Sequence, residues 1–66
     1  MHLTKREKQI VRRVLRDEKR TAIASALGIH VKTVDFHLCN VRGKISVRST
    51  QAVAVFFARN PIRQDS

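Results

Sequence analysis

Residues 31–45, VKTVDFHLCNVRGKI, place Val31, Val34, Leu38, Val41 and Ile45 at alternating spacings of three and four. At the roughly 100° per residue of an α-helix, this pattern gathers all five on one narrow stripe and leaves the opposite side without packing duty. The spacing predicts a helix from about Val31 to Lys44. Its free side presents Lys32, Phe36, Cys39, Asn40 and Gly43, edged by Thr33 on one flank and Asp35 on the other.

The flanking segments read as three more helices. Gly28 directly follows Ile23, Ala24 and Leu27, the apolar positions of a helix over about Lys19 to Leu27, and suits the left-handed position that closes it. Asp17 or Glu18 can supply acceptors to that helix's first free N–H groups. Further back, Thr4 and Glu7 have the S/T-x-x-E form of a capping box. Ile10, Val11, Val14 and Leu15 then share one face of a helix from about Lys5 to Arg16, with Lys5, Lys8, Arg12, Arg13 and Arg16 opposite. Ser49 or Thr50 can cap a fourth helix reaching about Asn60, where Pro61 stops it. Val53, Phe56, Phe57 and Asn60 share its core side, and Gln51, Val55, Ala58 and Arg59 the other. Residues 61–66 read as a tail. No alternating run is long enough for a strand, so the expected fold is all-α, a single four-helix domain over residues 1–66 with about 3–60 ordered.

Composition bounds the function. The chain has 66 residues, with 14 Lys or Arg against five Asp or Glu, a formal charge of +9. Such a chain buries one small core, with little room for a substrate cleft, so an enzyme is not expected. The longest apolar run, Ala52 to Ala58, falls far short of the ~20 residues of a membrane helix, and no hydrophobic leader follows Met1. Cys39 is the single cysteine, and with three scattered histidines it lacks the paired spacings of a zinc site, so no metal or other cofactor is expected. Stability from packing rather than disulfides suits the cytoplasm. His37 and Cys39 lie two apart and diverge on a helix, so they form no nucleophile–base pair.

Two helices joined by a short glycine-containing turn, the second amphipathic and preceded by a basic segment, match a helix-turn-helix. The third helix then enters the major groove of duplex DNA. An exposed Phe36 either packs on the tail or a partner, or contacts thymine methyls. Asp35 either complements the positive end of its own helix or accepts from a cytosine amino group. Lys32, Arg42 and Lys44, with the Thr33 hydroxyl, can reach phosphates. The fourth helix's Gln51, Val55, Ala58 and Arg59 offer a small self-complementary patch for a two-fold dimer, set against an ordinary surface with scattered apolar residues. A competing reading is a basic protein-interaction module with only nonspecific DNA affinity; a third is a membrane-surface helix built on the basic side of helix one.

LTKREKQIV at 3–11, IASALGI at 23–29, KTVDFHLCNVRGKISV at 32–47 and QAVAV at 51–55 together resemble the LuxR-type (GerE-like) helix-turn-helix family of bacterial transcription regulators. The LTxRE opening, the TVxxHxxNxxxK core and the later AV pair occur there in this order and spacing, over nearly the whole chain. The resemblance implies a transcription regulator whose third helix reads an imperfect palindrome and whose fourth helix forms a two-fold contact. It places Asp35, Phe36 and Cys39 at base-facing sites and Thr33 and Lys44 at backbone-contacting ones. The implied partners are double-stranded DNA, a second copy assembled with the help of DNA, and RNA polymerase. The DFH triplet is similar to members with an aromatic before the histidine, frequent among acyl-homoserine-lactone quorum sensors. A start at Met1 close to the first motif fits a stand-alone regulator and an excised C-terminal domain alike. The chain departs from the family at Lys19 and His30, where serine caps are common, so each cap is expected to be weakened by about 1 kcal/mol. Asp35 replaces a frequent Lys, and Ala22 a usual Glu.

Overall fold

The computed structural model describes residues 2–62. Four helices follow one another: α1 over Lys5–Leu15, α2 over Arg20–Leu27, α3 over Val31–Ile45 and α4 over Thr50–Arg59. No strand occurs among the described residues. The all-α, four-helix expectation holds, and each boundary lies within a residue or so of its expected place.

Local chemistry explains the starts. The capping box forms in full, with Glu7 N–H donating to Thr4 Oγ1 at 3.1 Å and Thr4 N–H to Glu7 Oε1 at 2.9 Å. Ser49 caps α4 by accepting from Ala52 N–H at 3.0 Å. At α3 the expected weak cap is corrected: His30 Nδ1 accepts from Lys32 N–H at 3.1 Å, so an imidazole does the work of a serine oxygen. At α2 the weakness is real, since Lys19 makes no side-chain cap. Neither Asp17 nor Glu18 fills in. Asp17 takes a left-handed φ of 63°, and Glu18 bonds instead to Arg13 Nη1 at 3.1 Å.

The ends of the first three helices share one device. Left-handed residues at Asp17, Gly28 and Ser46 let the next N–H reach back five positions: Glu18 to Arg13 O, Ile29 to Ala24 O and Val47 to Arg42 O. Only Gly28 announces this by residue type, because glycine has no Cβ to clash there. The turns fold Ile29 and Val47 back onto the core.

Helix α3 packs against each of the other three, whereas α2 and α4 do not touch. The stripe on α3 divides accordingly. Val34 and Leu38 join Ile10, Ile23 and Ala24 in one apolar cluster, and Val41 joins Leu3, Val11, Val53 and Phe57 in the other. Neighbouring residues of α1, Ile10 and Val11, thus seed opposite ends of the core. Val31 and Ile45, at the ends of the stripe, are half-buried.

Several burial expectations need correction. Leu15 is 40% exposed, because α1 ends there and its chain departs through the Asp17 turn. Lys8, expected on the basic outer face, is buried. Asn60 is exposed and its amide donates to Phe56 O at 3.0 Å, closing α4 rather than entering the core. Ile62 packs against the α1–α3–α4 cluster, so the segment after Pro61 begins as part of the fold. Residues 63–66 of the expected tail lie outside the described residues.

Candidate nucleic-acid interface

With one face of α3 packed against α1, α2 and α4, the other has no neighbour among the described helices. Lys32, Phe36, Cys39 and Gly43 are exposed along it, and Phe36 is 62% exposed. Phe36 meets the half-buried His37 edge-on at 5.7 Å between ring centres, which props the phenyl ring outward. A Cβ added at Gly43 would meet nothing within 4 Å, so the face is open to its C-terminal end.

The flanks are polar. Thr33, Asn40 and Arg42 are half-buried. Asp35 is held by an unexpected partner: Arg20, in the first turn of α2, donates from Nη1 to both carboxylate oxygens at 2.6 and 2.7 Å. Neither sequence-based reading of Asp35 included a cation from another helix. Fifteen positions separate the two residues, and no local spacing signals a contact made by the crossing of α2 and α3.

Lys19, Arg20 and Thr21 are all exposed at the start of α2, and Arg20 reaches the edge of the free face of α3 through Asp35. With Glu18 and Thr50 they line a hollow of about 450 Å³ at the starts of α2 and α4. Because Lys19 provides no side-chain cap, the first N–H groups of α2 carry the partial positive charge of a helix N-terminus into this basic surround.

Lys44 is committed elsewhere. Its Nζ donates to Glu7 Oε1 at 2.7 Å, and the Glu7 side chain is only 3% exposed against 34% for Lys44. Burial alone would raise the Glu7 carboxyl. The hydrogen bond and charge of Lys44, with the two bonds to Thr4, outweigh it and hold the group below its ordinary value of 4.5. Lys44 therefore ties the end of α3 to the start of α1, and its ammonium is already partly neutralised.

On α4, Gln51, Val55, Ala58 and Arg59 are all exposed, Val55 to 50%. No described helix is long and apolar enough to cross a membrane.

Residues 1–57 match the bacterial regulatory proteins, luxR family, also called GerE. Among curated proteins, the transcriptional activator protein AnoR of Acinetobacter nosocomialis is 34% identical over 55 residues, which cover 83% of this chain and 23% of AnoR. The chain thus spans about a quarter of that relative's length. The family is one of transcription regulators and not a class of enzymes. With the match over most of the chain and four helices in the expected order, this chain belongs to the LuxR family of bacterial regulatory proteins and is a helix-turn-helix DNA-binding domain of that family.

Proposed function

We propose that the domain binds duplex DNA sequence-specifically, with α3 in the major groove, as a two-fold dimer on a palindromic site in the bacterial cytoplasm. One observation carries the reading: Lys32, Phe36 and Cys39 stand exposed on a helix whose opposite side buries Val34, Leu38 and Val41. A helix fits the groove only if one long side stays outside the core and offers hydrogen bonds or apolar contact to base edges.

In this reading Asp35, Phe36 and Cys39 face bases, Phe36 against thymine methyls. Lys32, Thr33 and Arg42 reach phosphates, joined by the uncapped start of α2 with Lys19. Lys44 contributes to the phosphate field while bonded to Glu7. Gln51, Val55, Ala58 and Arg59 form the dimer contact, and half-sites lie about one helical turn, ~34 Å, apart. The patch is small, so the dimer is weak in free solution and DNA assembles it. Residues 1–66 act as a single domain, and RNA polymerase is the further partner through which regulation is exerted.

The test is selection of binding sites from randomised duplexes, followed by anisotropy titration on the selected site. Phe36→Ala and Lys32→Ala weaken binding without unfolding the domain. If both bind the selected site as tightly as the parent, the assignment of α3 fails. Lys44→Ala is the poorer probe, because it also removes the partner of a buried carboxylate.

A second reading, a basic interaction module with only nonspecific DNA affinity, draws on a hollow of about 180 Å³ lined by Gln9, Arg12, Arg13, Arg16 and Leu27. Selection would then enrich no consensus.

A further inference from the structure

We propose that Arg20, a residue of α2 outside the recognition helix, determines which base pair is read beside Asp35, and that the Arg20–Asp35 unit selects a C·G pair. The inference rests on the DNA-binding reading above and adds to it a specificity determinant and the base pair it prefers.

A single Arg20 nitrogen lies 2.6 and 2.7 Å from the two oxygens of Asp35, bridging α2 and α3 across the edge of the exposed face. Both side chains remain accessible, at 57% and 44% exposure, so the bridge contributes little to folding. Its consequence lies in what the surface presents.

A lone carboxylate at this edge would be repelled by phosphates. Paired with a guanidinium it carries no net charge into the groove, and its direction is set by two helices rather than by a free rotamer. Each oxygen gives one lone pair to Arg20 and keeps another, and the guanidinium keeps donors beyond the nitrogen engaged here. The unit therefore offers acceptors beside donors. In the major groove a C·G pair presents the matching pattern, with the cytosine amino donor next to the guanine O6 and N7 acceptors. A thymine in the cytosine's place sets an acceptor against the Asp35 carboxylate, and an adenine keeps an amino donor but leaves the guanidinium a single acceptor, the partner thymine O4, where guanine offers O6 and N7.

Site selection from randomised duplexes with the parent domain, Arg20→Ala, Arg20→Lys, Asp35→Ala and the Arg20→Ala/Asp35→Ala double variant tests this. The parent enriches C·G at one position of each half-site. Arg20→Ala and Asp35→Ala each reduce the preference at that same position by roughly tenfold, the size of one lost base-edge pairing, and leave the other positions unchanged. The double variant loses no more preference than Asp35→Ala alone. Arg20→Lys recovers affinity lost in Arg20→Ala but not the base preference, because an ammonium has no planar fork. Thermal melts of all four variants stay near the parent's.

An Arg20→Ala variant that keeps the parent consensus and weakens every duplex equally overturns the proposal, since Arg20 would then be an ordinary phosphate contact. So does a parent consensus without C·G at the position that Asp35→Ala alters. A parent domain that enriches no sequence at all overturns the DNA-reading assignment together with this one.

Discussion

Replacing Glu7 by glutamine removes a negative charge from a side chain that is 3% exposed and that holds α1 to α3. Glutamine keeps an oxygen able to accept from Thr4 N–H, so the capping half of the interaction survives. The charge-assisted bond from Lys44 does not. A hydrogen bond to a charged group contributes about 1.5–3 kcal/mol against about 0.5–1.5 for a neutral one, so the substitution costs about 1 kcal/mol. Breaking a fully buried pair costs more, ~3–5 kcal/mol, but Lys44 is a third exposed and regains water, which keeps the cost low. Glu7→Ala also loses the cap and reaches about 2–3 kcal/mol. At ~4–8 °C per kcal/mol for a domain of this size, Tm falls by about 5 °C for Glu7→Gln and about 10–20 °C for Glu7→Ala.

Thermal unfolding followed by far-ultraviolet circular dichroism at neutral pH measures this, with Lys44→Met and the double variant closing the cycle. The pH dependence gives a second handle. The Glu7 carboxyl is held below 4.5 in the folded state, so the unfolded chain binds the proton first as pH falls. The stabilisation is complete above the unfolded value and is lost as pH drops through the folded one. The gap in Tm between parent and Glu7→Gln therefore narrows in acid. A Glu7→Gln variant that melts with the parent at neutral pH, or a cycle in which the Glu7 and Lys44 effects simply add, refutes this account.

Ser46 holds a φ of 59°, a conformation in which a Cβ costs roughly 1 kcal/mol, so Ser46→Gly raises Tm by several degrees in the same melting assay. His30→Ala removes the Nδ1 acceptor at the start of α3 and costs about 1 kcal/mol in urea unfolding, whereas His30→Ser matches or exceeds the parent. Phe36→Ala, at a site 62% exposed, changes folding stability by less than about 0.5 kcal/mol while weakening the selected duplex, as titration and melting on one preparation will show. Val55→Glu puts a charge at the centre of the exposed α4 face; sedimentation on a palindromic duplex should then show one domain bound where the parent binds two.

The pattern within residues 31–45 was sufficient for the central helix and its free face, because a 3-4-3-4 apolar stripe is a local property of the chain. The same holds for the caps at Thr4 and Ser49, the stop at Gly28 and the exposed side of α4, each readable from residue type and spacing. What lay beyond the sequence depends on where helices cross. That Asp35 meets Arg20 and that Lys44 meets a buried Glu7 follow from contacts between elements many positions apart. Asp17 and Ser46 adopt left-handed turns without glycine because the returning Ile29-like role of the next residues, Glu18 bonding to Arg13 and Val47 entering the core, offsets the local strain. Periodicity encodes which side of a helix faces inward; only the assembled fold decides which charged groups on the outward side find one another, since their pairing energies are too small and too long-range in sequence to leave a local mark.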